Sequence, residues 1–98
     1  MSPKDKGEGA QLSCLAEILN QRGLHARAAA KFVKTAGTFE AEIDVSRQGQ
    51  TVSGHSIMGL MMLAASTGSE IEIACSGKDA KAALDALTEL VANKFEED

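Results

Sequence analysis

The sequence predicts an α+β fold, a two-layer open-faced β-sandwich in which three helices cover one face of a four-stranded antiparallel sheet. Four short segments alternate apolar and polar residues with period two, which is typical of strands with one buried face. Three other segments carry apolar residues at helical spacing. The 98 residues suffice for one domain with a modest core. Helices on one side of such a sheet are enough to cover its apolar face.

The elements follow in the order β-α-β-β-α-β-α. A polar segment at residues 1–10 is predicted to be a flexible tail, and residues 11–98 form the domain. Gln48-Gly49 is a hairpin turn between the second and third strands. Strands are predicted at residues 12–19, 41–47, 50–53 and 70–75, and helices at residues 26–36, 56–64 and 79–93.

The periodicity also predicts which side chains are buried. Cys14 and Cys75 alternate with apolar residues in their strands, so both are predicted to be reduced core residues. The inward positions of the first helix are predicted to be Ala26, Ala29, Ala30 and Val33, with Lys31 and Lys34 on the opposite side. The last helix is predicted to bury Ala80, Ala83, Leu84, Leu87, Leu90 and Val91.

Composition excludes several classes of function. The three aromatic residues include no Trp and no Tyr, which argues against stacking on single-stranded nucleic acid. No apolar run approaches the ~20 residues that span a membrane, and residues 1–9 lack the apolar stretch of a signal peptide. The cysteines form neither a metal motif nor a disulfide framework. These features predict a cytoplasmic protein without a metal or cofactor.

Charge is distributed unevenly along the chain. The net charge is −4, yet residues 18–39 contain four cations and no acid. An acidic protein with one basic stretch suits an anionic group or an acidic partner surface. The alternative is that these cations are solvated surface residues, and for any single lysine this is the better explanation. They are Arg22, Arg27, Lys31 and Lys34.

His25 lies where a turn becomes a helix, and this position can support phosphoryl chemistry. The first N–H groups of a helix lack intrahelical acceptors and, with the helix dipole, favour an anion. Arg27 adds a guanidinium that matches phosphate oxygens. Imidazole is nucleophilic near neutral pH. The alternative is a histidine that only caps a helix beside a solvated arginine.

Two segments resemble the HPr family, the histidine phosphocarriers of the bacterial phosphotransferase system. Residues 23–29, GLHARAA, are similar to the active-site motif of that family, and residues 55–61, HSIMGLM, resemble its regulatory-serine motif at the expected distance. The resemblance extends from residue 12 to about residue 95. It implies that His25 is phosphorylated on Nδ1, that Arg27 neutralises the phosphate, and that Ser56 is the target of a regulatory kinase.

The resemblance also implies partners. Enzyme I would donate the phosphoryl group, an A-type enzyme II protein would accept it, and an HPr kinase/phosphorylase would act on Ser56. The chain would be a monomeric phosphocarrier with no pocket for a small molecule, rather than a stand-alone enzyme. One departure is Ala28, where the family usually has proline. Because proline donates no N–H, Ala28 leaves one more N–H near the phosphate, and altered tuning with intact function is expected.

Several interpretations stay open. The family has a sugar-uptake branch and a nitrogen-related regulatory branch, NPr. Residues 60–66 and the ending at residues 95–98 favour the nitrogen branch. A binding module that never carries phosphate and a metal-binding domain are the rivals from other classes.

Other residues of the second motif also have two interpretations. Ser56 is expected to cap the second helix in any case. His55 is interpreted as a surface residue because it has no neighbouring arginine. Ile57, Met58 and Met61 are either core residues or, with Lys34, part of a docking surface for partner proteins.

Overall fold

The protein is described by a computed structural model that covers residues 11–97, so the predicted tail at residues 1–10 lies outside the described residues. The order β-α-β-β-α-β-α is confirmed, and each predicted bound lies within two residues of the observed one. The elements are β1 (Gln11–Glu17), α1 (Ala26–Ala36), β2 (Glu42–Arg47), β3 (Gln50–Ser53), α2 (Ile57–Met62), β4 (Glu70–Ser76) and α3 (Ala80–Ala92), followed by a 3₁₀ turn (Lys94–Glu96).

The four strands form one antiparallel sheet in the order β1-β4-β2-β3. Gln48 and Gly49 both have positive φ, 51° and 84°, as the predicted tight hairpin between β2 and β3 requires. Alternation along the central strands buries one face beneath the helices and leaves the other exposed. The buried set is Ile43, Val45, Ile71, Ile73 and Cys75, and the exposed set is Glu42, Asp44, Glu70 and Glu72.

Helix α1 covers the sheet with a face rotated from the predicted one. Its buried residues are Ala28, Ala29, Phe32 and Ala36. The prediction for Ala29 is confirmed, but Ala26 and Ala30 are exposed and Val33 is only partly buried. The physical reason is Phe32, which is fully buried. Burying a phenylalanine ring removes far more apolar surface from water than burying an alanine methyl does, so the ring determines the rotation of the helix.

The prediction that both cysteines are core residues is correct for Cys75 and wrong for Cys14. Cys14 pairs with Ile73 and faces the helices, but β1 is an edge strand and the helical layer does not cover it fully. Cys75 lies on a central strand and is fully buried. Burial, together with the charge of Asp44, raises the pKa of the Cys75 thiol to about 11.

The sequence periodicity did not predict the turn after α3. Lys94, Phe95 and Glu96 have φ values of 58°, 55° and 64°, a left-handed conformation that non-glycine residues rarely adopt. Phe95 is fully buried within this turn and packs into the core. The reversal directs the end of the chain back toward the start of α1. Among the described residues, no helix is long and apolar enough to cross a membrane.

The different environments of the cysteines predict selective thiol labelling. In the native protein near pH 8, a thiol-specific reagent should modify Cys14 within minutes and leave Cys75 unmodified, because only thiolates react and Cys75 is both buried and protonated. Mass mapping of the labelled peptide checks this, and a Cys14→Ser variant serves as the unlabelled control. Modification of Cys75 at a similar rate before unfolding would contradict the assigned burial.

Candidate functional site

His25 is the N-cap of α1. Its backbone is extended, with φ −81° and ψ −178°, and its carbonyl accepts the first helical hydrogen bond from the N–H of Ala29 at 2.8 Å. The side chain folds over the helix end, so that Nδ1 accepts a hydrogen bond from the N–H of Arg27 at 3.3 Å. The N–H groups of the first helical turn have no acceptor within the helix. Nδ1 of His25 therefore lies at a helix end that favours an anion.

The turn before the helix fixes the position of His25. Gly23 has a φ of 68°, and a Cβ atom at this residue would lie 2.6 Å from the carbonyl oxygen of Ala65. That oxygen accepts a hydrogen bond from the N–H of Leu24 at 2.9 Å, and the hydroxyl of Thr67 donates to the carbonyl of Asn20 at 2.6 Å. Only glycine combines this φ with such a close approach of two backbones. The loop after α2 thus fixes the conformation of the turn that leads into α1.

The other ring nitrogen of His25 contacts the end of the chain. Nε2 lies 2.5 Å from Oε2 of Glu97, and both side chains are largely buried, with 18% and 16% of their surfaces exposed. An ionised carboxylate only accepts hydrogen bonds, so Nε2 carries the proton. Nδ1 is then the nitrogen with the free lone pair, which agrees with its role as acceptor for the Arg27 N–H. The two contacts thus favour the same tautomer.

Glu97 is ionised at neutral pH. Burial alone raises the pKa of its carboxyl group, but hydrogen bonds from His25 and Asn20, together with the charge of Arg22, outweigh burial and leave this pKa below the ordinary value. Asn20 is fully buried, and its Nδ2 donates to Oε1 of Glu97 at 3.2 Å.

The predicted basic stretch converges beside His25. Arg22, Arg27 and Lys31 line a shallow groove together with Gln21, Glu96 and Glu97. Within residues 11–97, neither arginine forms an ion pair. The structure therefore brings together the predicted pair His25 and Arg27 and leaves the Arg27 guanidinium available to an anion. Lys34 lies further along α1, exposed in its last turn.

The second predicted motif forms the start of α2. Ser56 is the N-cap, as expected, and its Oγ accepts from the N–H of Gly59 at 2.9 Å. Ile57, Met58 and Met61 are 41%, 71% and 41% exposed, so the interpretation of these residues as core is wrong. Helix α2 packs on α1 through Leu60, the one residue of this helix that is buried.

The interpretation of His55 as a surface residue is confirmed. His55 is exposed, and its Nε2 lies 3.3 Å from the carbonyl oxygen of Ala41. Among residues 11–97, no group of three metal-ligating side chains comes together.

Sequence reasoning missed two residues of the site, Asn20 and Glu97. Both lie beside the motif in the fold, but Glu97 is separated from His25 by 72 positions along the chain, so no local pattern links the two residues. Asn20 was missed because its role is to contact Glu97 and the Gly23 carbonyl. The one available indication was Phe95, an isolated apolar residue in a polar ending, which suggests that the ending is anchored to the core.

The fold and site define an open-faced α+β protein with a histidine at a helix N-terminus, and comparisons with known proteins agree. The sequence model of the family described as PTS HPr component phosphorylation site matches residues 12–93. The phosphocarrier protein HPr of Cupriavidus necator is 49% identical over 80 residues, covering 82% of this chain and 90% of that protein. The phosphocarrier protein HPr of Neisseria meningitidis is 49% identical over 81 residues, covering 83% and 91%.

Solved structures give the same result. A crystal structure of HPr-C-His from Thermoanaerobacter tengcongensis superposes with a TM-score of 0.85 at 40% identity, covering 89% of this chain and 98% of that one. An HPr crystal structure from Bacillus anthracis gives a TM-score of 0.81 at 44% identity, covering 84% and 98%. The chain belongs to the HPr family of the phosphotransferase system. The expected fold and family are thus confirmed.

The lowered pKa of Glu97 predicts a pH-dependent stability. A carboxyl group with a depressed folded pKa stabilises the fold fully above its unfolded value of 4.5, and this stability is lost as the pH falls through the folded pKa. We expect Glu97→Gln to lower the free energy of unfolding at pH 7 by about 1 kcal/mol, and the difference from wild type to disappear in acid.

Urea unfolding of both proteins at neutral and acidic pH measures this difference. Glu96→Gln is the matched control, because Glu96 is 69% exposed and lies 3.5 Å from Lys31, so its removal should change stability little at any pH. A loss in Glu97→Gln that is the same at every pH would contradict the ionised contact.

Proposed function

We propose that this chain is a phosphocarrier that accepts a phosphoryl group on Nδ1 of His25 and passes it to a second protein. One observation carries the proposal. The unprotonated Nδ1 lies at the N-terminus of α1, with the N–H of Arg27 directed at it. A nucleophile at that point would deliver its phosphoryl oxygens to a helix end that stabilises anions.

The residues of the first helical turn suit this chemistry. When Nδ1 bonds to phosphorus, the Arg27 N–H loses its acceptor and becomes available to a phosphoryl oxygen. The N–H groups of Ala26 and Ala28, at the first and third helical positions, lie at the same end. The Arg27 guanidinium adds a charge-assisted contact, typically worth roughly 1.5–3 kcal/mol. Ala28 replaces the usual proline of the family, and its N–H is the additional donor that should tune the site without abolishing transfer.

The proposed partners follow from family membership. Phosphorylated enzyme I would be the donor and an A-type enzyme II protein the acceptor, and both would meet the chain in the cytoplasm. The docking surface, defined here as Ile57, Met58 and Met61 with Lys34, combines exposed flexible apolar side chains and one cation. Methionine adapts to differently shaped partners. A monomer exposes this surface and His25 together.

The two branches of the family differ in the acceptor. The ending at residues 95–98 and the segment at residues 60–66 favour the nitrogen-related branch, and the sugar-uptake branch is the alternative. Met61 and Met62 in that segment are 41% and 65% exposed, so they would contact a partner directly. Incubating the phosphorylated chain with A-type proteins of each branch decides between them, because only the correct acceptor removes the phosphate rapidly.

Replacing His25 should abolish phosphate uptake without unfolding the protein. His25→Ala removes the nucleophile, and the helix retains the hydrogen bond between the carbonyl of residue 25 and Ala29. The measurement is the intact mass after incubation with enzyme I and phosphoenolpyruvate, which should gain one acid-labile phosphate in wild type and none in His25→Ala.

His55→Ala is the matched control and should take up phosphate as wild type does. Acid-labile phosphate on His25→Ala would refute the assignment of the acceptor. No uptake by the folded wild-type chain would instead favour a binding module that carries no phosphate.

We also propose that phosphorylation of Ser56 regulates this transfer by altering the docking surface. The hydroxyl of Ser56 caps α2, and the adjacent Ile57 and Met58 are exposed. A phosphate would add a charge of about −1.5 to −2 beside these apolar side chains. This charge would repel the phosphate carried by enzyme I, and it would hydrate the apolar surface on which enzyme I docks.

Two variants of Ser56 should separate capping from docking. Aspartate is also a good N-cap, so Ser56→Asp should melt near the wild-type temperature yet be phosphorylated more slowly at His25. Ser56→Ala loses the bond to Gly59, which costs about 1 kcal/mol, yet should be phosphorylated at the wild-type rate. Uptake rates and melting curves measure both effects. A wild-type rate in Ser56→Asp, or a rate that falls only with stability, would contradict the docking account.

A further inference from the structure

The last turn of the chain brings Glu97 to His25 through a conformation that is unfavourable by itself. Lys94, Phe95 and Glu96 all have positive φ, a left-handed conformation that is unfavourable for residues with a Cβ atom. The burial of the Phe95 side chain and a hydrogen bond from Nζ of Lys31 to the Phe95 carbonyl oxygen at 3.0 Å hold the turn. The result of this arrangement is the contact between Glu97 and His25.

Two donors converge on the two oxygens of Glu97. Nε2 of His25 lies 2.5 Å from Oε2, and Nδ2 of Asn20 lies 3.2 Å from Oε1. The same Nδ2 donates to the carbonyl of Gly23 at 2.7 Å, so Asn20 joins the end of the chain to the turn that precedes His25. A carboxylate satisfies both donors, whereas an amide has one accepting oxygen and would turn its own N–H₂ group toward one of them.

We propose that Glu97 is a positioning residue for His25, and that Asn20 orients Glu97. The carboxylate retains the proton on Nε2, which leaves the Nδ1 lone pair as the nucleophile and fixes the plane of the ring. This inference rests on the proposed function, because it assigns a role in phosphoryl transfer to a contact of the same histidine. Glu97 acts through His25 and does not contact the phosphoryl group.

In the transfer step one N–P bond forms and one breaks, and no proton is transferred. The Nδ1 lone pair forms a bond to phosphorus while the bond between phosphorus and the donor's histidine nitrogen breaks, and that electron pair leaves with the donor imidazole. Nε2 keeps its proton throughout, so His25 gains positive charge as the new bond forms. The Glu97 carboxylate 2.5 Å away faces this charge and stabilises it more than it stabilises the neutral ring. The reverse transfer to the acceptor uses the same contact.

Glu97→Ala tests the proposal, with Glu96→Ala as the matched control. Both variants remove one carboxylate and the same charge from adjacent positions, but only Glu97 contacts His25. We expect Glu97→Ala to lower the kcat of phosphorylation by enzyme I by roughly 10- to 100-fold with little change in KM for the chain, because an ionic hydrogen bond that strengthens in the transition state is lost. Glu96→Ala should keep the wild-type kcat.

A second readout does not depend on turnover. In ¹⁵N spectra of the imidazole rings, unphosphorylated wild type and Glu96→Ala should have the proton of His25 on Nε2 with slow exchange with water. Glu97→Ala should have faster exchange and a mixture of tautomers. Spectra of His25→Ala identify the resonances of His55. Circular dichroism of each variant establishes that the fold is retained.

The outcomes separate the inference from the proposed function. Wild-type phosphorylation at His25 with equal kcat and equal tautomers in Glu97→Ala and Glu96→Ala overturns the positioning role and leaves the phosphocarrier proposal intact. A faster Glu97→Ala also overturns it, since the contact would then inhibit the histidine. Absence of phosphate on His25 in wild type refutes the proposed function itself.

Discussion

The placement of α1 on the sheet is the constraint on which the site depends. Four strands with one apolar face require a cover, and Phe32 anchors α1 over that face with no exposed surface. The start of the helix is then fixed by the close approach of Gly23 to the carbonyl of Ala65. Once the packing of Phe32 and the turn at Gly23 are set, the N-terminal N–H groups and His25 must emerge at one edge of the helical layer. The position of the candidate site is therefore a consequence of core packing.

A second long-range constraint completes the site. The buried Phe95 holds a left-handed turn, and this turn brings Glu97 back to His25. The sequence neighbours of His25 provide a partner for Nδ1 only, and Glu97 provides the partner for Nε2. The helix end is thus directed at one ring nitrogen and the carboxylate at the other. Each part of the imidazole has its own partner, which is the arrangement expected when a ring must present a single nucleophilic atom.

Much of this arrangement could be predicted from the sequence, because it is local. Strand alternation, the hairpin at Gln48-Gly49 and the caps at His25 and Ser56 depend on neighbours within a few positions, and all are observed. The burial of Cys14 could not be predicted, since exposure depends on β1 being an edge strand.

The remaining differences between prediction and structure are also long-range. The rotation of α1 depends on which of its side chains packs into the core. The contact between Glu97 and His25 depends on a turn that is stabilised by tertiary burial of Phe95. Periodicity reports which face of an element is apolar, but it does not report which elements end beside one another. The proposed acceptor histidine could therefore be found from its motif, whereas its carboxylate partner could not.

The central claim is that the chain carries its phosphate on Nδ1 of His25 while Nε2 stays protonated. ³¹P and ¹⁵N spectra of the phosphorylated chain, made with ¹⁵N-labelled histidine, test it directly. We expect a single phosphoramidate whose phosphorus couples to Nδ1 of His25, with a proton on Nε2. A phosphorus coupled to Nε2 of His25, or to either nitrogen of His55, would contradict it.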